Sequence, residues 1–185
     1  LSGLEFLSCI PGSVGGGIRM NSGCYDSDFS KILTSIKVMD FNGSIKEIKR
    51  DQINFFYRGC SLPQNLIILS VKLQGIPSKK ELIEAKQKDF IQRKIDSQPK
   101  GVKTCGSTFK NPEGTKAWKL IKESKSDKLF VGDVKISEKH SNFFINNGSA
   151  SSFEIEQLIN KVKENVFKET GKKLELEIKI IGNNI

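Results

Sequence analysis

At 185 residues, with 37% hydrophobic and 28% charged side chains, the chain is long enough to bury one core or a pair of small ones. No apolar run approaches the ~20 residues that a membrane-spanning helix needs. Thirty Lys and Arg against 21 Asp and Glu leave a net charge of +9, which suits anionic partners: nucleic acid, acidic lipid or phosphorylated small molecules. The lysines are scattered, which reads as solvated surface with a few at an anion site, and no basic, aromatic-rich strand offers a stacking platform; no nucleic-acid or membrane partner is expected.

The start, LSGLEFLSCIPG, lacks the basic lead of a signal peptide and begins with Leu, so the chain is expected to be the downstream part of a longer protein. Residues 10–25, IPGSVGGGIRMNSGCY, hold five of the 16 glycines. Their spacing matches neither the Rossmann fingerprint nor a P-loop. Glycines let backbone N–H groups approach a pyrophosphate and form an anion nest; a flexible loop is the alternative, and spacing alone leaves both open. Ile36, Val38 and Phe41 lead into Asn42-Gly43, and Ile45 and Ile48 follow, which predicts a hairpin with a tight positive-φ turn. In FFYRGC, 55–60, the guanidinium of Arg58 offers a planar fork to a carboxylate, or else stacks on its aromatic neighbours. NLIILSVKLQG, 65–75, reads as a largely buried strand.

Composition changes at Ser78, which predicts a domain boundary near 76–78. Ser78 and Glu81 spell a capping box, and Leu82, Phe90, Ile91 and Ile95 suit a helix to about Asp96. CGSTFKNP, 105–112, is too polar for a core strand, and Gly106 gives Ser107 room to approach a ligand; ordinary turn chemistry is the alternative. A short helix around Ala117–Glu123 and a short strand at 142–146 follow. In SEKHSNFFIN, Lys139, His140 and Asn142 stand at the mouth of that strand. A second capping box, Ser151 with Glu154, opens a helix whose Ile155, Leu158, Ile159, Val162 and Val166 recur at helical steps, with Gly171 to end it. LELEIKIIG then alternates, Leu174, Leu176, Ile178 and Ile180 on one face and Glu175, Glu177 and Lys179 on the other, as a final strand. Strands and helices intermix without a βαβ rhythm, so the fold class is α+β.

Cys9, Cys24, Cys60 and Cys105 contain no Cys-x-x-Cys pair, and His140 is the single histidine. No metal site is expected, and reduced thiols in a cytoplasm are. A Cys105–His140 nucleophile pair is the remaining covalent option.

Taken in order, GLEFLSCIPGSVGGGIRMNSGCY, FFYRGC, CGSTFKNP, KISEKHSNFFIN and LELEIKIIG resemble the FAD-dependent UDP-N-acetylenolpyruvoylglucosamine reductases of peptidoglycan synthesis, in the shorter of their two types. The resemblance implies FAD and NADPH as cofactors, UDP-N-acetylglucosamine enolpyruvate as substrate, and a monomer. It implies the second half of a two-subdomain FAD-binding fold at 1–77, a small α+β substrate-binding domain at 78–171, and a catalytic C-terminal strand at 172–185. Ser107 would be the proton donor, Arg58 would hold the substrate carboxylate, and Glu177 would share stabilisation of the enolate. Pro11, Gly12, Ser13, Gly15, Gly16, Asn21 and Gly23 would line the FAD site. Tyr25, Tyr57, Asn111 and His140 would contact substrate, Asn111 at its diphosphate. The Tyr-Arg-x-Ser pattern of the resemblance has Cys60 in place of its serine, and the N-terminal FAD-binding subdomain is not within the sequence. The alternative it leaves is a non-catalytic remnant that binds UDP-sugar without retaining FAD.

Overall fold

The computed structural model describes residues 1–182. The chain forms two compact units, Leu1–Lys94 and Ile95–Ile185.

The first unit opens with a 3-10 turn, Glu5–Cys9, and a six-residue helix α1, Val14–Arg19. A two-stranded ribbon follows, β1 Gly23–Cys24 with β2 Ser27–Asp28, then one helical turn, α2 Phe29–Ile32. The main sheet is antiparallel with order β4-β3-β7, from β3 Leu33–Asp40, β4 Ile45–Lys49 and β7 Leu66–Leu73. Between β4 and β7 lies the ribbon β5 Phe55–Phe56 with β6 Gly59–Cys60. Register shifts in β3 at Leu33/Ser35 and Lys37/Val38 turn successive residues inward, which is why Ser35 and Ile36 are both buried. Phe6, Ile18, Phe29, Ile36, Val38 and Ile53 form the core.

The predicted β3–β4 hairpin forms around Asn42-Gly43. Strand β3 stops at Asp40 and β4 starts at Ile45, because the Asp40 carboxylate accepts the N–H groups of Asn42 and Ser44, both at 2.9 Å, leaving Gly43 at φ +85° to reverse the chain.

Helix α3, Lys80–Ser97, begins later than the Ser78 box predicts. The Ile83 N–H bonds to Lys79 O, so Lys79 is the cap residue. Only Phe90 of this helix is buried; Leu82 and Ile91, expected on the apolar face, are exposed. Phe90 joins the first core, and for that reason the compact division falls at 94/95 rather than at the composition change near 76–78.

The second unit contains a three-stranded antiparallel sheet, order β10-β9-β8, built from β8 Phe130–Val131, β9 Val134–Ile136 and β10 Phe144–Asn146. Helices α4, Ala117–Glu123, and α5, Ser152–Thr170, lie where the sequence placed them. The capping box of α5 is complete: the Ser151 hydroxyl accepts the Glu154 N–H at 3.3 Å, and the Glu154 carboxylate accepts the Ser151 N–H at 2.7 Å. Gly171, at φ +67°, ends the helix. Leu158, Ile159, Val162 and Val166 of α5 pack with Phe109, Leu120, Ile121, Phe144 and Leu174; each such side chain contributes about 1.5–3 kcal/mol by leaving water.

The final strand does not form as a ladder. Leu176 makes an isolated bridge to Phe109, flanked by Lys110 N–H to Glu175 O at 2.8 Å and Glu177 N–H to Thr108 O at 2.9 Å. Its partner segment is too short to continue the pairing, because it runs into Pro112, which has no N–H to donate, and a turn closed by Thr115 N–H on Pro112 O. Leu174 is buried, but Ile180, expected on the same face, is 49% exposed. The three last residues of the predicted 172–185 strand lie outside the described residues.

Candidate active site

In the second unit, Ser107 lies in a short run of backbone held from both sides. On one side Ser107 bridges Phe143, and the Thr108 N–H bonds to Asn142 O at 2.8 Å. On the other, Thr108 O accepts the Glu177 N–H. Gly106, at φ +82° with open space where a side chain would stand, delivers the chain into this run. Ser107 is half-buried, as is Glu177. Two residues read as catalytic from the sequence are thus brought onto one backbone network, one peptide apart across a hydrogen bond.

Asn142 fastens that network. Its side-chain Oδ1 accepts the Phe109 N–H at 2.9 Å and its Nδ2 donates to Phe109 O at 2.7 Å. A buried side-chain amide thereby acts as a further strand for the segment carrying Ser107. The sequence reading noted Asn142 only as a neighbour of His140; its one signal was a small polar residue directly before an apolar pair.

His140 is half-buried, its ring 4.8 Å from that of Phe143, and its Nδ1 accepts the Asn142 N–H at 3.3 Å. Burial, aided by the charge of Lys122 and opposed by a backbone hydrogen bond, pulls its pKa below the ordinary 6.5. A neutral ring that accepts a backbone bond orients Asn142. Among the described residues Cys105 makes no hydrogen bond to His140, so the nucleophile pair is not assembled. Asn111, expected at a substrate diphosphate, is half-buried, and its Oδ1 accepts the Ala117 N–H at 3.0 Å, at the start of α4.

In the first unit the glycine segment is neither a bare nest nor a floppy loop. Pro11, Gly12 and Ser13 form an exposed turn, with Gly12 at φ +120°, and Gly15, Gly16 and Gly17 are helical in α1. The Ser13 hydroxyl caps α1 by accepting the Gly16 N–H at 3.1 Å. The N–H groups of Val14 and Gly15, in the unpaired first turn, have no partner among the described residues. Gly17 and Gly23 have packing reasons: a Cβ would stand 2.5 Å from the Phe29 ring at the first and 2.2 Å from Ser27 O at the second. Gly15 and Gly16 have none of that severity, the closest approaches being 3.5 Å to Ile68 and 3.1 Å to the Ser13 hydroxyl.

Asn21 ties this segment to the Tyr57-Arg58 turn. It is buried, accepts the Ser30 N–H at 3.0 Å and donates to Phe56 O at 3.3 Å. Tyr57 and Arg58 form the two-residue turn between β5 and β6, with Arg58 in the left-handed region at φ +57°. That conformation costs a non-glycine residue ~1 kcal/mol, and residues held so concentrate at sites where a side chain must be aimed. The Arg58 guanidinium stands 4.9 Å from the Tyr57 ring centre. Tyr25 stacks on Phe90 at 4.6 Å and its hydroxyl donates to Phe90 O at 3.0 Å. Cys24 is beside Cys9, and burial above all pushes its thiol up to about 11, with Arg58 and Lys94 pulling the other way.

Residues 98–181 match the model of the C-terminal domain of UDP-N-acetylenolpyruvoylglucosamine reductase. The chain is 44% identical to the UDP-N-acetylenolpyruvoylglucosamine reductase of Pelagibacter ubique over 98% of its own length and 61% of that protein, and 43% identical to that of Wolbachia pipientis over 99% and 62%. The crystal structure of the corresponding reductase from Thermus caldophilus superposes with a TM-score of 0.85 at 34% identity, covering 96% of this chain and 64% of that one. The chain therefore spans about three fifths of the length of the curated relatives it matches, and its residues 98–181 belong to the C-terminal domain family of UDP-N-acetylenolpyruvoylglucosamine reductase.

Proposed function

We propose that this chain carries the proton-delivering and substrate-holding part of an NADPH- and FAD-dependent reductase that converts UDP-N-acetylglucosamine enolpyruvate to UDP-N-acetylmuramate, a cytoplasmic step of peptidoglycan precursor synthesis. The observation that carries the reading is the lacing of Ser107 and Glu177 onto one backbone network through Thr108. The family supplies the substrate; the geometry supplies a hydroxyl and a carboxyl at neighbouring positions.

The glycine segment fits a flavin diphosphate. An exposed turn leads into α1, two first-turn N–H groups are unpaired, and Gly12, Gly15 and Gly16 present no side chain between that backbone and an anion. Bound FAD, once reduced by NADPH, would supply the hydride that reaches the enolpyruvyl methylene carbon. Charge then builds on the adjacent carbon and its carboxylate. Ser107 delivers its hydroxyl proton to that carbon, and Glu177 shares stabilisation of the enolate. Arg58 pairs with the substrate carboxylate as the charge grows, Asn111 meets the diphosphate, and Tyr25, Tyr57 and His140 complete the substrate contacts. A preorganised donor such as Arg58 is worth ~3 kcal/mol of barrier, so its loss slows turnover by roughly a hundredfold.

Ser107→Ala in the full-length gene product tests the assignment by separating the two half-reactions. Flavin reduction by NADPH is expected at the normal rate, and reoxidation by substrate is expected to stall. Stopped-flow flavin absorbance reads both; normal reoxidation in the variant removes Ser107 from proton delivery.

A further inference from the structure

The second unit contains a cavity of about 310 Å³ that the reductase reading does not use, near the lower end of the ~300–1,000 Å³ range of small-molecule sites. Its walls are apolar, formed by Val134, Phe144, Ile155 and Ile178. Neither Ser107 nor Glu177 lines it, whereas their chain neighbours Thr108 and Ile178 do. Successive residues of paired, extended backbone face opposite ways, so the cavity lies behind the candidate catalytic pair.

Two polar groups in this lining lack partners. Thr108 is only 2% exposed, yet its hydroxyl has no hydrogen-bond partner among the described residues. No fully buried side-chain N or O is left unpaired among those residues, so this hydroxyl keeps open surface, and the cavity is the open space Thr108 lines. Lys103 also lines it, exposed and without a carboxylate partner among the described residues. One ammonium and one hydroxyl satisfy a single negative charge. A phosphate dianion in the same apolar surroundings would need more donors than these.

We propose that this cavity binds a small monocarboxylate with a compact apolar body, its carboxylate shared between the Lys103 ammonium and the Thr108 hydroxyl. The apolar body lies against Phe144, Ile155 and Ile178. Its occupant rests on the rear of the backbone run that carries Ser107, and the site stands whether or not the reductase reading does.

Cys105 provides a readout independent of activity, since it lines the cavity and is exposed while Cys9, Cys24 and Cys60 are buried or half-buried. Octanoate and 3-phenylpropionate are the probes. Each is expected to slow iodoacetamide alkylation of Cys105 saturably, read by mass spectrometry, and to shift amide resonances around 103–108. Lys103→Met and Thr108→Val are each expected to weaken this protection about threefold or more, the loss of one hydrogen bond. Ile155→Trp, at a half-buried position, is expected to fill the cavity and abolish it. Should Thr108→Val fail to fold, the Lys103 and Ile155 variants carry the test. No protection by either acid overturns the proposal, as does protection unchanged by Lys103→Met and Ile155→Trp. Equal protection by octanol or octylamine overturns the carboxylate assignment.

Discussion

Asn142 shows how much of a candidate active site can rest on one amide. It occupies both backbone groups of Phe109 through its side chain and the Thr108 N–H through its carbonyl. Asn142→Leu leaves a buried donor and acceptor orphaned at ~1–3 kcal/mol each, so a urea midpoint corresponding to a loss of roughly 2–6 kcal/mol is expected. Asn142→Asp keeps the acceptor, loses the donor and sets a charge against Phe109 O, so it should not rescue. Wild-type stability in Asn142→Leu would show that the segment is held by its other bonds. His140 adds a pH dependence through the same amide. Its pKa is lowered chiefly by burial, so below about pH 6.5 the unfolded chain binds the proton more readily than the folded one. The stabilising contribution of the neutral ring is therefore complete above that pH and drains as the pH falls through the folded pKa. Melting temperatures are expected to fall between about pH 7 and pH 5, and His140→Gln should flatten that slope. Glu5 acts lower: burial pushes its carboxyl up, but bonds from Ser2 and Gly3 and the charge of Lys86 outweigh it and hold the pKa below 4.5. Motif order named Ser107 and Glu177 as candidates. The role of Asn142 was not legible, because a side chain standing in for a strand is decided by what lies 33 residues away.

At the scale of elements, α1 forms against its own composition. Three glycines in six residues lower helix propensity by ~1 kcal/mol each relative to alanine. The helix is held by the Ser13 cap, by Ile18, which is fully buried, and by Arg19, which donates to Pro63 O at 3.0 Å and to Leu66 O. Its glycines divide by reason. Gly17→Ala drives a methyl into the Phe29 ring and is expected to cost about 1–3 kcal/mol. Gly15→Ala meets only ordinary contact with Ile68, so stability is expected to hold or rise by up to ~1 kcal/mol. If Gly15 is glycine for the sake of a bound diphosphate, the same variant should retain FAD less well in the full-length product. Chemical denaturation and flavin content of the purified protein read the two effects separately. The alternation of LELEIKIIG was real in the letters, yet a strand needs a partner of equal length, and Pro112 ends that partner. Helix α5 was read correctly from cap to cap because every signal for it is local.

For the whole molecule, the difference between the composition change at Ser78 and the compact division at 94/95 has the same origin. The capping letters at Ser78 announce a helix but not which core will receive it, and α3 is polar nearly all round. Phe90, stacked on Tyr25 and 8% exposed, and Lys86, 3.5 Å from the buried Glu5 carboxylate, commit it to the first core. A fragment of residues 1–97 is therefore expected to unfold cooperatively, and a fragment of 1–77, cut where composition changes, to be less stable by the ~2–3 kcal/mol that burying a phenylalanine supplies. Residues 98–182 contain their whole core, from Phe109 to Leu174, and should fold by themselves with a single urea transition. Equal stability of 1–77 and 1–97 would return the boundary to Ser78. A 98–182 fragment without a cooperative transition would show that its apolar cluster is not a core in its own right.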